Sequence, residues 1–345
     1  MSISVTLSGC QMGKSQTSFI TSSSYQQTKE ATNEKIKIGF SMDTLNEDRW
    51  KRDRELFKQA AEALGAEVEI VEANGDDAMQ ILQAETLIEE GVDLLVVVPH
   101  NAEAMATIVK KAHSAGIKVL SYDRLIKNAD VDLYISFDNE MVGKLQAETI
   151  TKLVPKGKYV YIGGADTDNN AHQVKRGVFT VLEPYIEKGD ITIVYDQWTK
   201  NWDPTDAYIN IEEALHANDQ EIDAVIAGND ATAQSVIKAL TMRGLAGEIP
   251  VAGQDADLPA IQNIEKGIQT MTVYKPIPSL ALKVAEIAIK MAKGEHIFVD
   301  QKVNNGKIEV PTILLEPIAV TKENIMDTVI KDKFYSKREV YGTSE

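Results

Sequence analysis

The sequence predicts an α/β protein made of two doubly wound, Rossmann-like lobes joined by a multi-crossing hinge. Three observations predict it. From residue 34 onward, short β-rich runs alternate with longer segments of helical period, the signature of parallel sheets covered by helices. The alternation occurs twice in series, so two such units stand in tandem. Strand-like pieces are left over after each unit is complete, which makes the chain pass between the units more than once.

Taken in order, the first series has strands at 37–42, 67–71, 93–98 and 118–122. Their continuous apolar character, as in Leu94-Leu95-Val96-Val97-Val98, fits a sheet buried on both faces. Helices at 48–64, 78–90 and 102–115 lie between these strands, and a segment at 133–137 separates the two series. The second series has strands at 159–163, 192–195, 224–227 and 250–253, with helices at 169–187, 204–217 and 230–243. Two more pieces, 270–274 and 310–316, flank an amphipathic helix at 278–293. The lobes are therefore expected as 34–138 plus about 277–300, and 139–276 plus about 301–335, with a tail at 336–345.

The first 33 residues have a different character. Leu7-Ser8-Gly9-Cys10 has the apolar-small-small-Cys pattern of a bacterial lipoprotein processing site, so residues 1–10 read as the end of a truncated signal. Residues 11–33 are rich in Ser, Thr and Gln, the composition of a flexible tether. The expectation is lipidation at Cys10 and a domain held at a membrane surface through that lipid alone.

Length and charge narrow the classes of partner. At 345 residues the chain has room for about two domains, and 43% hydrophobic with 26% charged residues is ordinary globular composition. Thirty-six basic against 52 acidic residues give a net charge of −16, which disfavours nucleic acid or an anionic membrane as the main partner. Cys10 is the only cysteine, which excludes an intrachain disulfide and a cysteine-based zinc site. No run reaches the 18 or so apolar residues of a membrane-spanning helix.

Ligands of open α/β sheets bind beyond the carboxyl ends of the strands. Those positions here carry Asp43, Arg49 and Trp50, then Asp123 and Arg124. In the second series they carry Asp168, Asn169 and Asn170, then Trp202, Asn229 and Asp230, then Gln254, Asp255 and Asp257, and last Lys275. Such a set matches a neutral polyol, whose hydroxyls both donate and accept, while Trp50 and Trp202 supply flat rings for the C–H face of a sugar. Taken singly, Asp168, Asn229 and Asp257 read as helix caps; the joint occurrence at strand ends is what points to a site.

Catalytic and cofactor motifs are missing. There is no Gly-x-Gly-x-x-Gly after a strand, no phosphate-binding loop and no Gly-x-Ser-x-Gly elbow, and Gly163-Gly164 reads as a turn. His100, His113, His172, His216 and His296 lack metal-ligand spacing. Asp255 and Asp257, two apart at one strand end, do not place carboxylates across a glycosidic bond. Neither a cofactor nor a metal is expected, and the chain is expected not to be an enzyme.

Several collinear blocks carry a resemblance: Asp48-Arg49-Trp50, Leu120-Ser121-Tyr122-Asp123-Arg124, Tyr134-Ile135-Ser136-Phe137-Asp138-Asn139-Glu140, Asp168-Asn169-Asn170-Ala171, Asn229-Asp230-Ala231-Thr232, Gly253-Gln254-Asp255-Ala256-Asp257 and Thr270-Met271-Thr272-Val273-Tyr274-Lys275-Pro276. From about residue 37 to 332 the chain resembles the sugar-binding proteins of ABC importers with the type I periplasmic binding protein fold. The resemblance implies D-xylose as ligand. It implies contacts from Arg49, Trp50, Asp123 and Arg124 in one lobe, from Asp168, Asn170, Trp202, Asn229 and Asp255 in the other, and from Lys275 near the hinge. It also implies an extracytoplasmic protein that closes on its sugar and meets either an ABC permease or, as a sensor subunit, a membrane histidine kinase. A repressor of related two-lobe type is disfavoured, because residues 1–33 show no helix-turn-helix pattern.

Overall fold

A computed structural model describes residues 35–299 and 301–342. Cys10 and the expected tether at 1–33 lie outside the described residues. The chain runs β1 (Lys37–Met42), α1 (Asp48–Ala63), β2 (Glu67–Glu72), α2 (Asp77–Glu89), β3 (Leu94–Val97), α3 (Ala106–Ser114), β4 (Lys118–Tyr122) and β5 (Leu133–Phe137). It continues through α4 (Asn139–Leu153), β6 (Gly157–Ile162), α5 (Asn169–Glu187), β7 (Ile191–Gln197), α6 (Pro204–Ala217), β8 (Ala224–Ala227), α7 (Asp230–Thr241), β9 (Val251–Ala252), α8 (Leu258–Glu265) and β10 (Thr272–Tyr274). It ends with α9 (Ile277–Ala292), β11 (Gln301–Asn304), β12 (Glu309–Leu315), β13 (Ile318–Val320) and α10 (Lys337–Tyr341).

Two parallel sheets organise these elements. The first has the order β11-β12-β5-β4-β3-β1-β2, with only β11 antiparallel to its neighbour, and the second has the order β7-β6-β8-β9. A β10-β13 ribbon continues beyond β9 through the Ala252–Met271 bridge. Alternation along each strand feeds two cores. Leu94, Val96 and Val98 pack with α1 and α9 on one face, whereas Leu95 and Val97 pack with α2 and α3 on the other. The second sheet repeats the scheme, with Val225 and Ala227 facing α6 and α7, and Ala224 and Ile226 facing α4 and α5.

Three crossings join the lobes. The chain leaves the first sheet after β5, returns between β10 and α9, and leaves again between β12 and β13. The third crossing corrects the expected boundary: residues 301–315, assigned from sequence to the second lobe, form β11 and β12 of the first sheet. The run Thr312-Ile313-Leu314-Leu315 pairs in parallel register with Tyr134-Ile135-Ser136-Phe137, which saves β5 from being an open edge. Residues 336–342, expected as a tail, include α10, which begins with a Ser336–Glu339 capping box. The apolar pattern does not mark α4, since its buried face mixes Val142 and Ile150 with Asn139, Gly143, Gln146, Ala147 and Thr151 and gives little contrast.

Small residues on that face let α4 and α5 approach closely. A Cβ on Gly143 would lie 2.0 Å from the Val174 carbonyl oxygen, and one on Gly177 would lie 2.0 Å from that of Glu140. Both obstacles are backbone, so a methyl group forces the helices apart. Gly177→Ala is expected to destabilise the fold by about 1–3 kcal/mol, read as a lower urea midpoint at unchanged slope; an unmoved midpoint would contradict this helix contact.

Candidate ligand-binding site between the lobes

Helix caps bring the polar side chains to the strand ends. Asp168 caps α5 by accepting from the Asn170 amide at 2.9 Å, and Asn229 caps α7 by accepting from the Thr232 amide at 2.9 Å. Asp257 stands at the N-cap position of α8 without a side-chain cap bond. Asp168 and Asn229 are therefore caps, as they read singly, and the caps leave both residues at the strand ends lining a pocket between the lobes.

The ten residues singled out from sequence, Arg49, Trp50, Asp123, Arg124, Asp168, Asn170, Trp202, Asn229, Asp255 and Lys275, all line one narrow pocket between the lobes. Glu47, Asn139 and Gln254 complete the lining. Of the other strand-end candidates, Asp43 and Asp257 line a wider chamber outside the pocket, which shares Glu47 and Trp202 with it. Asp230 is buried behind the site, accepting from Thr272 Oγ1 at 2.7 Å and Gln269 Nε2 at 2.9 Å.

Charge is concentrated here and almost wholly paired. Arg49, Arg124 and Lys275 are each 4% exposed. Arg49 donates to Asp123 at 2.9 Å and Asp53 at 3.2 Å in its own lobe, and to Asp255 across the cleft at 3.3 Å. Arg124 reaches Asp43 at 2.5 Å and, across the cleft, Asp168 at 2.8 Å. Lys275 meets Asp255 at 2.6 Å. Asn170 Nδ2 crosses in the other direction to Asp123 Oδ1 at 3.0 Å. Each lobe thus holds groups that are satisfied only when the other is close, and the arrangement is a closed one.

These surroundings move the carboxyls in opposite directions. Burial alone would raise Asp123, but Arg49 and Lys275 outweigh it and hold this carboxyl below the usual range. Asp43 is likewise held low against burial by His100, at 2.8 Å, and Arg124. Burial wins at Asp53, pushed up to about 6 in spite of Arg49, and at Glu47, pushed up to about 7 in spite of Arg124. Across the cleft Asp257 is also raised to about 7, by burial first and then by Asp255, Asp48 and Glu47.

The two indoles differ in role. Arg49 and Arg124 stack on Trp50, at 4.1 and 4.9 Å from its ring centre, while its Nε1 donates to Glu47 at 2.6 Å. Trp50, expected from sequence to face a ligand, lines the pocket and also carries the two guanidiniums. Trp202 lies against Gly164, where a Cβ would come within 2.1 Å of the ring, and donates from Nε1 to Asp168 at 3.2 Å. Gly163-Gly164 is thus more than a turn: it leaves room for the indole. Sequence reasoning missed Glu47 and Asn139, and the signal for Glu47 was its place one residue before the helix that carries Arg49 and Trp50.

A cleft between two doubly wound lobes, crossed three times by the chain and lined from both sides by hydrogen-bonding groups, defines a binding protein of the two-lobe type. Residues 38–296 match the model of the periplasmic binding protein domain, and the chain belongs to that family. It is similar to the D-xylose-binding periplasmic protein of Haemophilus influenzae, with 49% identity over 91% of this chain and 95% of that one. It is similar to the protein of the same name from Escherichia coli, with 49% identity over 88% and 92%. Among solved structures, a carbohydrate transporter solute binding protein from Chloroflexus aurantiacus in complex with D-glucose superimposes with a TM-score of 0.83 at 30% identity, covering 89% of this chain and 98% of that one. The chain is accordingly a binding protein and not an enzyme.

The raised carboxyl at Glu47 has a measurable consequence. Between its ordinary value of 4.5 and about 7, the unfolded chain gives up this proton while the folded chain keeps it. Its contribution to stability is therefore complete at low pH and is lost as the pH climbs to 7. Glu47→Gln stays neutral and still accepts from Trp50, so the melting temperature of the variant relative to the parent should rise between pH 4.5 and 7.5. A difference independent of pH would overturn the assignment.

Proposed function

We propose that this protein captures D-xylose outside the cytoplasm, closes its two lobes over the sugar and presents it to an ABC importer. The observation that carries the reading is the pocket between the lobes, to which both contribute charged and amide groups around an indole. The near-half identity with D-xylose-binding periplasmic proteins over nine-tenths of the chain supports the choice of sugar, and the transporter role of the solved relative supports delivery to a permease.

The division of labour follows from the geometry. Asp123 and Asp255 keep lone pairs beyond those used by Arg49 and Lys275, and accept from sugar hydroxyls; Arg49, Arg124, Lys275 and the amides of Asn170 and Asn229 donate. Trp202 covers the apolar face of the pyranose. Closure about a hinge is the motion by which periplasmic binding proteins as a class enclose ligands. A sugar drives that motion only by binding the closed form better, and contacts divided between the lobes provide the difference. A sixth carbon adds a hydroxyl that the closed pocket must match or bury unpaired, which sets xylose apart from D-glucose.

Titration calorimetry of the full chain with D-xylose, D-glucose, D-ribose and L-arabinose tests this. Xylose is expected to bind most tightly, with Asp255→Ala and Trp202→Ala each weakening it by about tenfold to a hundredfold or more, corresponding to about 1.5–3 kcal/mol. Binding of another of these sugars in preference to xylose would overturn the specificity, and heat from none of them would overturn the sugar reading itself.

A further inference from the structure

Nearly every polar group in the pocket already has a protein partner, and Gln254 is the departure. It is buried, it lines the pocket, and its Nε2 donates to the Gly228 carbonyl at 2.6 Å. Its Oε1 is sealed from solvent and has no hydrogen-bond partner among the described residues. The amide orientation is settled by chemistry, since the reverse would set two acceptors against each other at Gly228. Gly228 itself packs behind the indole of the pocket, for a Cβ on it would lie 3.1 Å from the Trp202 ring. Of the buried side-chain atoms left without a partner among the described residues, which include those of Gln146, Tyr161 and Thr199, only Gln254 Oε1 belongs to a residue lining this pocket. An amide oxygen shut away with both lone pairs unspent costs stability unless a ligand supplies the donor.

The geometry points to Gln254 as a specificity-determining residue whose Oε1 accepts a hydrogen bond from one hydroxyl of the bound sugar, so that the site favours a polyol over the analogue lacking that hydroxyl. The inference rests on the sugar-binding reading and adds a determinant to it. Asp123 and Asp255, the charged acceptors, are anchored by cations and accept what geometry leaves them. Gln254 offers a neutral acceptor fixed at its other end by the backbone, and so reads position more than charge.

The test measures dissociation constants of the full chain for D-xylose and its four monodeoxy analogues, with the parent, Gln254→Met and Gln254→Glu. In the parent, one analogue is expected to bind about ten to a hundred times more weakly than xylose because of this contact. Gln254→Met should weaken xylose by a similar factor and bind xylose and that analogue alike. Gln254→Glu, when protonated, keeps an O–H donor for the Gly228 carbonyl and an acceptor oxygen for the sugar, so at acidic pH it should restore the preference, whereas its carboxylate would oppose the Gly228 carbonyl and should not. If Gln254→Met weakens xylose and all four analogues by one common factor, Gln254 acts only by positioning Gly228, and the inference falls. A crystal structure of the xylose complex with Oε1 more than about 3.5 Å from every sugar oxygen would overturn it whether or not the variants fold. Binding of xylose with either result leaves the sugar reading intact, whereas absence of binding to the parent overturns both.

Discussion

A guanidinium removed from water must find partners on all its edges, and Arg49 sets this demand on both lobes at once. Its charge is compensated by Asp53 one turn along α1, by Asp123 at the end of β4, and by Asp255 at the end of β9. Burying such a cluster is expensive, and removing any single partner leaves a charge stranded, which costs about 3–5 kcal/mol. The cluster therefore constrains its surroundings more than it stabilises them. Tyr122 donates to Asp53 at 2.5 Å, and the Asp123 carbonyl collects donors from Ser136 at 2.6 Å, Tyr134 at 3.0 Å and Asn170 at 3.1 Å. These bonds hold a non-glycine residue at φ 59, a conformation that would otherwise relax.

Strain recurs at two more residues that line the cleft, Asp255 and Trp202. Asp255 stands at φ 94, Ala256 at φ 55 and Trp202 at φ 58. An indole in the left-handed region is costly, and here it is fixed by Asn201 at φ 52, by the Trp202 bond to Asp168 and by the space over Gly164. A flexible loop would reach the same place but lose the orientation on which recognition depends. The rigid strands and capped helices of each lobe supply the opposing support, which is why the site sits at their junction rather than on an excursion of the chain.

Much of this was legible in the sequence because doubly wound sheets put function where the strands end. Apolar runs read as strands matched β1, β4 and β8 with their observed bounds, and polar residues directly after such runs marked most of the cleft. Elements whose identity depends on distant partners were harder to read. The α4 helix has a buried face that mixes small and amide residues with Val142 and Ile150, shaped by its contact with α5, and β12 takes its lobe from the edge of β5, which lies far off in sequence. Within the cleft, Gln254 stood among the strand-end residues but its importance lies in one unpaired oxygen, a property of three-dimensional pairing that no local pattern carries. Glu47 has no side-chain capping bond, and its place directly before the helix that carries Arg49 and Trp50 was its one signal in the sequence.

Two opposed electrostatic effects meet at closure. Arg49 with Asp255, and Arg124 with Asp168, draw the lobes together through ion pairs that span the cleft. Just outside, Glu47 and Asp48 on the first lobe face Asp257 on the second, and each raises the proton affinity of that group. Attraction inside and repulsion at the rim leave the closed state favoured by less than the ion pairs alone would give. That balance suits a receptor, since a protein locked shut by its own salt bridges admits no ligand, and one held open by its rim must spend binding energy on closing. A polyol that adds hydrogen bonds inside without adding charge at the rim tips such a balance, and the neutrality of the ligand is then as much a requirement of the seam as of the pocket.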